Sequence, residues 1–164
     1  MQTPYEKFLA VIPDHPAQRI MHFVDGQTPL TPALASLTHD RHYDYLLLCF
    51  DAAAAETLAQ QHAASPHIKV KHVTHDQARF HIQAKMYDFV FVEAAIPDEA
   101  AFLRKVYTAM KNAAILFVLT AGKYEEIERW RIGTEENFYV AFNTFELSEG
   151  LQVVSAKKMH GWGG

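Results

Sequence analysis

Apolar positions along the chain fall into short runs of two kinds, and the two kinds alternate. Residues 20–24 hold Ile20, Phe23 and Val24, a β-prone run that predicts a buried strand. Residues 43–50, YDYLLLCF, are almost continuously apolar, which suits a strand covered on both faces of a parallel sheet. Further strands are expected at 68–73, 87–92 and 114–119. Between these runs the apolar spacing changes to three and four. Leu30, Leu34 and Leu37 predict a helix ending near Leu37, and the alanine-rich 52–64 predicts another, stopped by Ser65-Pro66. Leu103, Val106, Tyr107 and Met110 predict a third, capped by Asp98 and closed by Lys111-Asn112. Tyr124, Ile127 and Trp130 form the inward stripe of a charged helix at 123–131. Ahead of the first strand, 4–12 reads as a short amphipathic helix with Phe8, Leu9 and Ile12 on one side. Residues 76–84 read as a short helical or irregular piece. The pattern changes near the end. Phe138, Val140 and Phe142 alternate within 138–147, Ser148-Glu149-Gly150 signals a hairpin, and 151–158 returns.

Repeated strand–helix alternation demands a parallel sheet with helices on both faces and right-handed connections. The expected architecture is α/β, one doubly wound domain over 1–164, with 1–18 as a helical extension and a C-terminal antiparallel hairpin. Composition agrees: 49% of residues are hydrophobic and 21% charged, as in ordinary globular domains. A formal net charge of −4 shows no broad electrostatic footprint for nucleic acid. No stretch approaches the ~20 apolar residues of a membrane span, and the cytoplasm is the default expectation. Cys49 is the single cysteine, so it forms neither an intrachain disulfide nor a thiolate metal site. Within LLLCF it reads as a buried, inert thiol. His72, His75 and His81 cluster, as do His39 and His42. Odd spacing in a strand turns side chains to opposite faces, so these read as surface histidines and no metal site is expected. Glu125, Glu126, Glu128 and Arg129 read as a solvated helix face. No Ser/His/Asp triad, P-loop or C-x-x-C pair is recognisable.

Candidate chemistry gathers where strands give way to loops. After the first strand, Asp25-Gly26-Gln27-Thr28 is turn chemistry, and Thr31-Pro32 reads as an N-cap followed by a first-turn proline. A strand feeding a helix through such a loop is where α/β proteins bind nucleotides. Gly26 either lets the backbone approach a ligand or supplies a positive φ. Asp51 either accepts hydrogen bonds from a ribose diol or caps the alanine-rich helix. Asp76 either lies near a base or caps the piece that follows. Glu93 leaves a buried strand at its C-terminal end; it is either a base or substrate-amine ligand, or an exposed strand-end residue.

Alternating β–α units closed by a hairpin resemble the class I S-adenosylmethionine-dependent methyltransferases, over about residues 18–158. The family's first motif is a strand, an acidic residue, a G-x-G-x-G loop and a helix often reading LT-x-x-LA. IMHFVDGQTPLTPALA falls into register with it: Leu30-Thr31 and Leu34-Ala35 match the helix, and Gly26 the middle glycine. Asp51 stands at the ribose-binding position, His75-Asp76 at the adenine position, and MYDFVFVEAA resembles the family's fourth strand. The resemblance implies the strand order 3-2-1-4-5-7-6. It also implies S-adenosylmethionine as cofactor, held near His22, Asp25, Gly26, Thr28, Asp51, His75 and Asp76, with Glu93 as catalytic base. The departures are His22 at the acidic position, Val24 and Thr28 at the outer glycines, and Lys111-Asn112-Ala113-Ala114 in place of Lys-Pro-Gly-Gly. Valine resists φ > 0 and adds bulk, and His22 offers the ligand's ammonium no negative charge. Binding of the cofactor is therefore expected to be weak. Two functions fit: a small methyltransferase of unknown substrate, or a non-catalytic homologue acting as an interaction or scaffold module. A different adenine nucleotide in the same crevice is a third. Any partner is an unknown small molecule or protein, with Trp162 of the tail as a candidate oligomer contact.

Overall fold

The computed structural model describes residues 3–80 and 83–159. The elements run α1 (Pro4–Leu9), β1 (Arg19–Val24), α2 (Leu30–Arg41), β2 (Asp44–Cys49), α3 (Ala52–Gln61), β3 (Ile68–His72) and β4 (Tyr87–Glu93). They continue with α4 (Glu99–Ala109), β5 (Met110–Thr120), α5 (Tyr124–Glu136), β6 (Tyr139–Ser148) and β7 (Leu151–Lys158). The seven strands form one sheet in the order β3-β2-β1-β4-β5-β7-β6. The first five are parallel; β7 runs antiparallel to both β5 and β6.

Strand periodicity divides the core into two layers. Met21, Phe23, Leu46, Leu48, Val90 and Val92 face Phe102, Leu103 and Val106 of α4 and Trp130 of α5. Ile20, Val24, Leu47, Cys49, Phe89 and Phe91 face Phe8 of α1, Leu30 and Leu34 of α2 and Leu58 of α3. His22 lies between Ile20 and Val24 on the same face and is fully buried. The register sets Val24 beside Cys49 on one side and Glu93 on the other, so three strands end level and their loops open at one place.

Several boundaries differ from the sequence pattern for identifiable reasons. Helix α1 stops at Leu9, although Ile12 beyond it remains buried. Helix α2 begins at Leu30 with Pro29 at the cap and no side-chain cap bond, so Thr31 is not the N-cap. It continues past Leu37 to Arg41, where His42 takes up a left-handed conformation at φ 58°. Around Asp76 the backbone makes turns, the irregular of the two readings. Lys111-Asn112 lie within β5, which starts directly after α4 and absorbs an irregularity near Ala113 at φ 67°. Tyr124 is 77% exposed rather than inward, leaving Trp130 as the buried anchor of α5. At the start of β6, Tyr139 turns inward while Val140, and Phe138 just ahead of the strand, face outward. A bulge between Val140 and Asn143, with Ala141 at φ 57°, breaks the simple alternation there. Asp98 caps α4 as expected, accepting from the Ala101 N–H at 3.0 Å. No helix among the described residues is long and apolar enough to cross a membrane. His81 and Trp162 lie outside the described residues.

Candidate functional site

His22 is the centre of a buried polar cluster that joins Glu93, at the C-terminal end of β4, to Tyr45, the second residue of β2. Its Nε2 lies 2.7 Å from Glu93 Oε1, and its Nδ1 2.6 Å from the Tyr45 hydroxyl. A carboxylate only accepts, so a singly protonated ring carries its proton on Nε2 and accepts from Tyr45 through Nδ1. Thr28 Oγ1 donates to the same Glu93 oxygen at 2.7 Å and lies 3.1 Å from Thr31 Oγ1. The five side chains therefore form one chain of contacts: Tyr45, His22, Glu93, Thr28, Thr31. Burial, and secondarily the Glu93 charge, push the Tyr45 phenol well above its ordinary value, while the nearby Thr31 hydroxyl pulls the other way. Tyr5 of α1 is pushed up by burial and by the same carboxylate.

Each element contributes through its local chemistry. Strand alternation turns His22 to the α2 face, and the matching alternation in β2 brings Tyr45 to that face. The early start of α2 puts Thr31 in its first turn, buried, with its hydroxyl toward Thr28. Glu93 is not an exposed strand-end residue; its side chain is 11% exposed and engaged on one oxygen by two donors.

The remaining candidates rim this cluster. Asp25 accepts from the Ala95 N–H at 2.8 Å and so ties the loop after β1 to the loop after β4. A Cβ on Gly26 would meet nothing within 4 Å, and its φ is not positive. The turn-glycine reading therefore does not hold, and open space lies over that backbone. Asp51 caps α3 through Oδ2, accepting from the Ala54 N–H at 2.8 Å. The His75 ring stacks on Phe50 with centroids 3.8 Å apart and planes at 11°. Asp76 accepts from Thr74 Oγ1 at 2.5 Å and caps no helix; that bond first, and others, hold its carboxyl below the usual range. Cys49 is buried, and burial is the main cause raising its thiol. Among the described residues, no group of three or more His, Cys, Asp or Glu side chains is placed to hold a metal ion.

Sequence reasoning brought His22, Thr28 and Glu93 to the site but missed Tyr45 and misassigned Thr31. The missed signal was a phenol inside an apolar strand, which must find a hydrogen-bond partner when buried.

No family model matches the chain, and no curated protein is similar to it in sequence. Solved structures resemble it closely in shape. The methyltransferase bound to the Trm112 activator in a Haloferax volcanii complex superposes with a TM-score of 0.78 at 10% identity, covering 96% of this chain and 90% of that one. A SAM-dependent methyltransferase from Aquifex aeolicus gives 0.75 at 13% identity, covering 94% and 89%. The CurJ carbon methyltransferase gives 0.68 at 14% identity; the match covers 92% of this chain and 51% of that one, so this chain spans about half its length. Together with the strand order and the antiparallel β7, these likenesses establish that the chain has the fold of the class I S-adenosylmethionine-dependent methyltransferases.

Proposed function

We propose that this chain is a non-catalytic methyltransferase homologue, an interaction module that keeps the fold without running methyl transfer. The observation that carries the reading is the buried hydrogen-bonded chain of Tyr45, His22, Glu93, Thr28 and Thr31. By the family resemblance, position 22 supplies the acidic group for the cofactor's ammonium. Here both ring nitrogens of His22 are already engaged, and Glu93 Oε1 accepts two bonds. The residues present do not fit S-adenosylmethionine in the family's manner. Losing one charge-assisted hydrogen bond costs roughly 1.5–3 kcal/mol, or one to two decades of affinity. The buried Val24 at the position of a glycine adds a steric cost. One structural neighbour is in complex with the Trm112 methyltransferase activator, which supports a protein partner for a fold of this kind.

Calorimetric titration with S-adenosylmethionine and S-adenosylhomocysteine tests the reading. The dissociation constant is expected to be no tighter than roughly 100 μM near pH 7.5. A low-micromolar value would overturn the proposal and favour an active methyltransferase. Two features favour that second reading: the open space over Gly26, and Asp51 at the ribose position, whose Oδ2 alone serves the cap bond.

A further inference from the structure

Away from the crevice, three cavities join along the β3 edge of the sheet. The first, about 240 Å³, lies at the N-terminal ends of β1 and β2 and includes Arg19, Asp44, Lys69, Lys71 and Met86. The second, about 550 Å³, shares Lys69, Lys71 and Met86 with it and adds Arg79 and Gln83. The third, about 380 Å³, shares Arg79 and Gln83 and ends at Arg104 and Lys105 of α4. These shared residues make one continuous trough. Its lining holds six Lys or Arg side chains and one carboxylate, Asp44. The whole chain has 15 Lys and Arg against 19 Asp and Glu, so the trough reverses the molecule's charge balance. Lys69, Lys71, Arg79 and Arg104 take part in none of the salt bridges among the described residues. Their charges are unpaired toward the trough.

We propose that this trough binds single-stranded nucleic acid along its phosphate backbone. The alternative occupants are weighed by direction. Lys69 and Lys71 alternate on one face of an edge strand, and lysines there alone would serve to block strand pairing. An acidic peptide added to β3 would also meet only those two, because an added strand runs along the edge. Arg79, Arg104 and Lys105 belong to the loop after β3 and to α4, so the positive lining leaves the strand and follows the cavities. A flexible chain with charge along its whole length matches that path. Among the described lining residues no Phe, Tyr or Trp stands exposed to stack bases; Tyr45, Phe80 and Tyr87 are buried there. Recognition is therefore of the backbone and indifferent to sequence. Whole-chain charge concealed this surface because the excess carboxylates lie elsewhere, as along α5. The inference stands apart from the crevice and holds whether or not the crevice takes S-adenosylmethionine.

Fluorescence anisotropy with a labelled uridine dodecamer in about 50 mM salt tests it, with a dissociation constant expected in the roughly 1–100 μM range of non-specific contacts. The quadruple variant Lys69→Ala, Lys71→Ala, Arg79→Ala, Arg104→Ala removes exposed side chains, so it should melt like the wild type. It should bind at least tenfold more weakly. Each lost phosphate contact flattens the log–log salt dependence by about 0.7, so the slope should fall by about 3 in all. Absence of binding by the wild type overturns the proposal, as does equal binding by the variant. A dodecamer of glutamate that competes as well as the uridine strand also overturns it, in favour of an acidic protein partner.

Discussion

At the scale of single residues, position 22 decides what the crevice can do. A buried imidazole between a phenol and a carboxylate satisfies all three groups. Replacing it by His22→Glu, the residue type that the family resemblance calls for, would set two carboxylates within hydrogen-bond distance. Two such groups cannot both ionise at neutral pH. His22→Glu alone is therefore expected to lose about 1–3 kcal/mol of stability, a fall in Tm of roughly 2–10 °C. Adding Glu93→Gln should restore much of it, because an amide can donate to the new carboxylate. Thermal unfolding of the four members of this cycle checks the coupling, and strictly additive losses would show that the two side chains do not meet. For the same reason, restoring cofactor binding by His22→Glu, Val24→Gly and Thr28→Gly requires Glu93→Gln as well. The cluster as a whole was not legible in the sequence. His22 and Tyr45 are 23 residues apart, and His22 and Glu93 71 apart. Only the register of three strands brings them together. What the sequence did show was the strand-end position of Glu93 and the departure at position 22.

At the scale of elements, Asp51 separates a structural role from a binding role. It is the N-cap of α3, and asparagine caps about as well as aspartate. Asp51→Ala should therefore cost about 1 kcal/mol, and Asp51→Asn only a few tenths. If Asp51 also holds a ribose, Asp51→Asn should weaken binding of an adenine nucleoside ligand with almost no change in Tm. Chemical denaturation beside calorimetry reads both effects, and a large destabilisation by Asp51→Asn would contradict the capping role. Elements were legible in proportion to their burial. The central strands β1, β2 and β4 are covered on both faces, and each is a predominantly apolar run that fixes its own boundaries within a residue or two. Edge strand β6 carries a bulge, so counting by twos pointed Phe138 and Val140 inward when the chain turns them out. Helix α2 was misread at its start because Thr31-Pro32 has the composition of a cap. The Thr31 hydroxyl instead pairs with that of Thr28 in the buried cluster.

At the scale of the whole molecule, buried phenols make stability depend on alkaline pH. Tyr87 is pushed up to about 12, mainly by burial. Tyr45 and Tyr139 are pushed well above the ordinary tyrosine value by the same cause, and the Tyr139 hydroxyl donates to the Leu103 carbonyl at 2.8 Å. In the unfolded chain all three ionise near pH 10. Above that pH the unfolded state holds fewer protons than the folded one, so the free energy of unfolding falls as pH rises. The contribution of Tyr87 is complete below pH 10 and is lost as pH rises through about 12. Tyr45 and Tyr139 continue the decline beyond that. Each phenol adds a slope of about −1.4 kcal/mol per pH unit where only the unfolded state has ionised, so the three together give about −4. Lys158 acts with the opposite sign. Its ammonium donates to the Tyr107 and Met110 carbonyls, yet burial lowers its value, so its contribution grows as pH rises toward the ordinary lysine value and is level beyond it. It therefore cannot mask the tyrosine slope above about pH 10.5. Urea unfolding at pH 9, 10, 11 and 11.5 should show stability nearly level at first and then falling steeply. Tyr45→Phe should start lower at pH 9, because His22 loses its Nδ1 partner, and then fall about one-third less steeply. A wild-type stability unchanged between pH 10 and 11.5 would mean that these phenols ionise as readily in the folded protein as in the unfolded chain, and that the cluster around His22 is open to solvent.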